Sequence, residues 1–260
     1  MFTDPILRAL TMSFLAGMTT MLGALVILIL HRKSEKLISA SLGLAGGVMI
    51  CVSFHDLWPN ADRYFASAFA TEKTGLIFTV IFLVIGVLLA ALLDKLVPHQ
   101  EDETTADLGR EHQDLFHVGI VSMLALALHN FPEGMATFMS NYQGGDIGLT
   151  VTLAIAIHNI PEGIAVAMPI YFATNSRSKA LKYTFLAGIS EPIGALIAFL
   201  LLQLFLNDFV MGVIFAITAG IMLFIAIEEL LPSSRQYGYK RSALLGTFIG
   251  ITLMPLVHLI

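Results

Sequence analysis

Long apolar runs alternate with short polar breaks along the whole chain. Eight runs stand out, at 6–30, 37–57, 75–97, 116–140, 148–172, 183–206, 211–231 and 243–257, the last being the shortest. An α-helix rises about 1.5 Å per residue, so about 20 apolar residues cross the roughly 30 Å hydrocarbon layer of a bilayer. The pattern therefore predicts an all-α, polytopic membrane protein of eight transmembrane helices, with 1–260 forming one transmembrane domain. One connection is different. The segment at about 98–115 is polar, and within it Glu101, Asp102, Glu103, Asp107, Glu111 and Asp114 accompany a single Arg110. Such a stretch has too little apolar surface to order itself and reads as a disordered loop. His99, His112 and His117 read as solvated histidines of that loop.

Composition supports the bilayer as solvent. Hydrophobic residues make up 57% of the 260 residues and charged residues 13%, about half the share of a soluble domain. The mean hydropathy is +0.82. The net charge of −5 argues against a nucleic-acid partner, which calls for a basic patch. One cysteine, Cys51, excludes an internal disulfide framework and a cysteine-rich zinc site; it reads as a small packing residue. The first run is too long for a signal-peptide core and lacks a basic leader. The basic residues orient the spans. With the N-terminus outside, 11 of the 14 (Arg32, Lys33, Lys36, Lys95, Arg110, Arg177, Lys179, Lys182, Arg235, Lys240, Arg241) fall inside and three (Arg8, Arg63, Lys73) outside. Positive charge collects on the cytoplasmic side, so both termini are expected outside.

Two internal repeats run through the apolar pattern. LHNFPEG at 128–134 recurs as IHNIPEG at 157–163, on the fourth and fifth spans. GVMICVSFHDLWP at 47–59 aligns with GIMLFIAIEELLP at 220–232, on the second and seventh. Both pairs join spans of opposite direction. They fit one scheme of inverted repeats, spans one to three against six to eight and four against five, a plan that places binding sites near the bilayer midplane.

The candidate chemistry lies where charge is most costly. Glu133, Glu162 and Glu191 fall well inside predicted spans, where each ionised group costs about 2.5–3.5 kcal/mol on insertion scales. No Lys or Arg lies mid-span to offset them, which leaves a proton or a metal ion. Spacing favours the metal. His129 and Glu133 are four residues apart and share a helical face, with Asn130 on its edge; His158, Asn159 and Glu162 repeat the arrangement. Pro132 and Pro161 each remove the backbone donor to the carbonyl four residues earlier. Imidazole, carboxylate and amide oxygen together suit Zn²⁺, Fe²⁺, Mn²⁺ or Co²⁺ better than Cu⁺. Glu191, in SEPIG beside a proline, is assigned to the same site. His55, Asp56, Glu228 and Glu229 lie near span ends, as candidates to line the way in or out.

HNFPEG and HNIPEG, with SEPIGA at 190–195 and ELLP at 229–232, resemble the ZIP (Zrt-, Irt-like protein) family of divalent-metal transporters, in its compact bacterial branch. The resemblance covers essentially the whole chain. It implies uptake of zinc, and of iron, manganese or cobalt, across the cell (inner) membrane towards the cytoplasm. It also implies a two-ion site. Glu133, His158 and Glu162 would hold one ion with His129 nearby; Asn130, Glu133, Asn159, Glu162 and Glu191 would hold the other. The ions are bound in passing, and no prosthetic group is expected. The long histidine-repeat loop of many eukaryotic members is absent. Expected partners are divalent ions and the lipid bilayer, with a homodimer left open. Two other classes compete. A selective divalent-cation channel could use the same site without alternation, and an intramembrane metallo-hydrolase would activate water on a resident ion. No HExxH occurs for the latter.

Overall fold

The apolar runs fold into eight helices in the computed structural model, which describes residues 4–29, 34–96, 110–143, 146–201 and 207–257. They are α1 (Pro5–Ile29), α2 (Glu35–Phe69), α3 (Glu72–Leu96), α4 (Arg110–Gln143), α5 (Asp146–Thr174), α6 (Arg177–Leu200), α7 (Asp208–Gln236) and α8 (Lys240–Val257). No strand occurs among the described residues. The first seven are long and apolar enough to cross a membrane. α8, at 18 residues, reaches about 27 Å. Polar caps start several of them. Asp4 accepts from the Ile6 amide at 2.8 Å, Ser176 from Lys179 at 3.2 Å and Asn207 from Val210 at 2.9 Å. Because successive helices alternate in direction, the start of α1 and the end of α8 lie at one face, here the terminal face, and the end of α3 and the start of α4 lie at the opposite, loop face.

Three expectations are corrected. α2 continues past residue 57 through Trp58–Phe69, and α7 continues to Gln236. Pro59 and Pro232 look like terminators in sequence. Each instead sits in the first turn of a new helical segment, directly after a π-helical turn at Ser53–Leu57 or Ile225–Leu230. There the Trp58 amide reaches back to Ser53 O and the Leu231 amide to Ala226 O, five residues away. The two π turns coincide at the offset of the longer repeat, so the inverted symmetry extends to backbone winding. Third, α4 begins at Arg110, inside the expected loop. His117 is therefore no solvated loop residue but a buried one, 6% exposed. His99, Glu101, Asp102, Glu103 and Asp107 lie outside the described residues, as do the side chains of Glu111, His112 and Asp114.

The helices pack as two four-membered bundles, α1 with α4, α5 and α6, and α2 with α3, α7 and α8. Glycine closes both. A Cβ at Gly163 would collide with the Thr20 carbonyl, and one at Gly23 with that of Ile160. Gly134 and Gly194 stand the same way against the carbonyls of Glu191 and Phe131, Gly86 and Gly220 against Ile217 and Leu83, and Gly43 and Gly246 against Ala243 and Ala40. Reciprocal glycines thus let α1 and α5, α4 and α6, α3 and α7, and α2 and α8 approach to backbone contact, as small residues do in membranes. The pairing follows the inverted repeat. Among the described glycines, none makes such a contact between bundles.

Candidate metal centre

Both HNxPEG copies sit inside helices that run on through their prolines, α4 through Pro132 and α5 through Pro161. Pro lacks an amide proton, so the carbonyls of Leu128 and Ile157 lose their helical donor beside the motif. The i, i+4 spacing aims His129 and Glu133 from α4, and His158 and Glu162 one turn along α5, into a common space. His158 Nε2 lies 2.7 Å from Glu133 Oε1 in a hydrogen bond. His129 Nε2 lies 3.0 Å from Glu133 Oε1 and 3.2 Å from Glu162 Oε1. These are ion-pair distances without hydrogen-bond alignment. His129, His158 and Glu162 offer ligand atoms that all lie within 4.8 Å of one another.

The asparagines are oriented by neighbouring backbone. Asn130 donates to the Ala187 carbonyl at 3.2 Å. Asn159 donates to the Ala16 carbonyl at 2.9 Å and to Glu191 Oε2 at 2.8 Å. With both amide nitrogens engaged, each Oδ1 is buried without a hydrogen-bond partner. α6 supplies Glu191 through a local break. It interrupts at Ile189, between Gly188 and Ser190, and resumes with Glu191 in its first turn and Pro192 behind it. The break leaves the Ala187 carbonyl for Asn130 and for the Ser190 hydroxyl. The Ser13 hydroxyl of α1 donates to the Glu191 carbonyl at 3.4 Å.

All seven sequence-predicted ligands, His129, Asn130, Glu133, His158, Asn159, Glu162 and Glu191, are buried and meet in this one region of the first bundle. His129 Nδ1 and Nε2, Asn130 Oδ1, Glu133 Oε2, Asn159 Oδ1, both Glu162 oxygens and Glu191 Oε1 have no hydrogen-bond partner. Each such group costs about 1–3 kcal/mol when buried. Oxygen acceptors far outnumber donors among them, which is the chemistry of a cation site. A cavity of about 370 Å³ extends from Glu133 and His158 to Asp56, Asn60 and Tyr64 of α2, Ser140 of α4 and Thr150 of α5. Those residues lead towards the terminal face. On the other side every residue of α5 from 165 to 173 is buried.

Of the span-end residues, Asp56 lines this cavity, while His55 and Glu228 are exposed and outside its lining. Glu229 joins a second group, Asp94 of α3 and His117 of α4, with ligand atoms within 4.8 Å of one another. Sequence reading missed this group. The three residues lie on helices whose mutual packing leaves no trace in spacing.

Residues 94–258 match the family described as ZIP zinc transporter. The chain is 44% identical to a zinc transporter ZupT of Oceanobacillus iheyensis, over 96% of this chain and 97% of that one. It is 41% identical to a zinc transporter ZupT of Streptococcus mutans, covering 95% and 94%. It is 40% identical to one of Chlorobaculum parvum, covering 97% of both.

Proposed function

Because the chain belongs to the ZIP family of metal transporters, and is thus a multi-pass membrane transporter and not an enzyme, we propose that it takes up Zn²⁺ into the cytoplasm through the His129–Glu133–His158–Glu162 centre. Fe²⁺, Mn²⁺ and Co²⁺ are further cargo of the same donor set. The observation that carries this reading is the convergence of buried acceptor atoms without hydrogen-bond partners from α4, α5 and α6. An arriving cation satisfies them, and leaving it restores their cost, so the site suits transit. Glu133, His158, Glu162 and His129 surround one ion; Asn130, Asn159 and Glu191, with Glu133 and Glu162, surround a second. The whole chain acts as one transmembrane domain in the cell membrane. The terminal face is external, on the 11-to-3 split of basic residues.

The cavity of about 370 Å³ gives hydrated ions access from that face, with Asp56 as a negative charge on its wall. Uptake then requires the site to become exposed at the loop face. The test uses purified protein in proteoliposomes, offered Zn²⁺, Fe²⁺, Mn²⁺ and Co²⁺ separately. Saturating initial rates far below channel flux are expected, highest for Zn²⁺. Failure to take up any of the four sinks the proposal, and unsaturable flux replaces the carrier with a channel. Orientation is tested in a Cys51→Ser background. Arg63→Cys should react with an impermeant thiol reagent added outside cells and Ser178→Cys should not; the reverse pattern inverts the direction.

A further inference from the structure

None of the candidate ligands lies on α1, yet α1 touches the centre through one carbonyl. The Ala16 carbonyl accepts from Asn159 Nδ2 at 2.9 Å. Three residues on, the half-buried Thr19 hydroxyl lies 2.8 Å from the Ala156 carbonyl of α5 and 2.6 Å from the Ala16 carbonyl. Ala16 and Thr19 of α1 thus meet Ala156 and Asn159 of α5 crosswise, each helix giving a side chain to the other's backbone. The approach is close because the next turns are held by reciprocal glycines, Gly163 against Thr20 O and Gly23 against Ile160 O.

The Ala16 carbonyl has two lone pairs. In the helix one goes to the Thr20 amide, and Asn159 takes the other. The Thr20 hydroxyl ordinarily donates to the carbonyl four residues back, the same Ala16 oxygen; here Thr20 Oγ1 is buried without a hydrogen-bond partner, in keeping with an acceptor already filled. The single Thr19 proton therefore falls to Ala156 O. That oxygen stands three residues before Asn159, where an asparagine folding back onto its own helix finds an acceptor. Asn141 of α4 does fold back, donating to Thr137 O at 2.9 Å. Asn159 instead reaches across to Ala16 O and Glu191 Oε2, which leaves its Oδ1 without a partner. We propose that Thr19 is a positioning residue for ion binding. By occupying Ala156 O it keeps the Asn159 amide turned towards α1 and α6, with Oδ1 presented to the ion that Asn130 and Glu191 also face. The inference rests on the reading of Asn159 as a ligand given above.

Equilibrium dialysis of the purified full-length protein against Zn²⁺ tests this. Thr19→Val keeps the shape and loses the hydroxyl, so Zn²⁺ affinity should fall about two- to tenfold. Thr19→Ser should restore it, and Thr19→Ala replaces the valine variant if that one does not fold. The distinguishing measurement is a cycle with Asn159→Asp, whose carboxylate keeps a ligand oxygen but has no amide protons to turn. There the loss of the Thr19 hydroxyl has nothing to act on and should change the affinity by less than about twofold, whatever it does to the thermal midpoint. An affinity untouched by loss of the hydroxyl, no restoration by serine, or the same loss in both backgrounds overturns the proposal. Failure of the two-ion reading looks different: the unmodified protein then retains one ion per chain, and the cycle still decides the role of Thr19. If the unmodified protein retains no Zn²⁺, the reading of the centre and the role of Thr19 fall together.

Discussion

The two bundles solve the same packing problem with different interiors. Among the described residues, the bundle of α2, α3, α7 and α8 buries only hydroxyls as polar side chains: Ser39, Ser41, Ser53, Thr79, Thr218, Ser233 and Ser234. Ser53, Thr79 and Ser234 return their protons to the helix's own backbone, at Met49 O, Gly75 O and Leu231 O, while Ser39 Oγ is buried without a hydrogen-bond partner. Its terminal-face end is locked by rings, with Phe65 against Phe78, Phe82 and Phe209 at centroid distances of 5.6–5.7 Å. The bundle of α1, α4, α5 and α6 buries three glutamates, three histidines and three asparagines. Its polar groups bond between helices: Asn159 to Ala16 of α1, Asn130 to Ala187 of α6. One bundle is a rigid apolar body. The other is a body of equal tightness, by its glycines, with an unsatisfied polar centre. Glycine supplies close packing in both, so tightness does not distinguish carrier from support. Chemistry does.

The sharpest way to break that contrast is to remove the shared carboxylates. Glu133→Ala or Glu162→Ala should reduce uptake of all four ions to background, because each side chain is proposed to serve both ions. Protein that remains folded and membrane-inserted yet transports at the unmodified rate would sink the shared-site arrangement. By contrast, Thr79→Val or Thr218→Val in the other bundle should leave uptake within about twofold, since neither replaces a metal donor.

Glycine substitutions come next, because they perturb both bundles equally in space and unequally in function. A methyl at Gly134 meets the Glu191 carbonyl, and one at Gly220 meets the Leu83 carbonyl. Overpacking of this kind costs about 1–3 kcal/mol, so Gly134→Ala and Gly220→Ala should both lower the thermal unfolding midpoint in detergent. Only Gly134→Ala moves the helix segment that carries Glu191. It should therefore also weaken Zn²⁺ binding measured by dialysis, with Gly220→Ala near the unmodified affinity. Equal loss of binding in both would show that the centre is sensitive to packing anywhere.

The same contrast explains what the sequence disclosed. Eight apolar runs and the repeated HNxPEG were legible because span length and i, i+4 spacing are local quantities. So was the shared fate of His129, Glu133, His158 and Glu162, since matched depth on adjacent antiparallel helices brings them together. The π turns were not legible. Pro59 and Pro232 stop a helix in most settings, and only the backbone shows that each opens a new segment. His117 was assigned to solvent because the acidic loop, Glu101 to Asp114, runs almost up to it; helix α4 starts within that loop, at Arg110, and carries it inward. Its meeting with Asp94 and Glu229 depends on three helices from two bundles, information that spacing along one helix does not hold. The interrupted α6 is intermediate. Gly188 and Pro192 bracket Glu191 in the sequence, and the break between them is readable once Pro is seen to lack the donor for the carbonyl four residues back.

A smaller effect should separate the two kinds of donor within the polar bundle. His129 and His158 supply imidazole, and Asn130, Asn159 and Glu191 supply oxygen. Mn²⁺ tolerates all-oxygen coordination, while Zn²⁺ gains more from nitrogen. His158→Asp keeps a donor at the cavity floor and replaces nitrogen with oxygen. It also loses the 2.7 Å hydrogen bond to Glu133 and adds negative charge beside three carboxylates, so total uptake should fall. The diagnostic quantity is the ratio of initial Zn²⁺ and Mn²⁺ rates on one preparation, which should shift several-fold towards Mn²⁺. An unchanged ratio would remove His158 from the ligand set and leave it a hydrogen-bond donor to Glu133 alone.

The smallest effect lies in the apolar bundle, where the ratio should not move at all. Phe65 is fully buried and stacks or tilts against three other rings from α3 and α7. Phe65→Leu keeps most of the apolar volume and loses the ring geometry, at about 0.5–1.5 kcal/mol. The thermal midpoint in detergent should drop by a few degrees, with Zn²⁺ affinity and the Zn²⁺ to Mn²⁺ ratio unaltered. The reason is location. Phe65 holds α2 against α3 and α7 and touches no residue of the metal centre. If the loss of one ring changes ion preference, the support bundle takes part in selecting the ion and the division of labour between the two bundles is wrong. If stability falls alone, the cavity wall formed by Asp56, Asn60 and Tyr64 keeps its shape on a weakened scaffold, and selection belongs to the histidines, asparagines and glutamates of the other bundle.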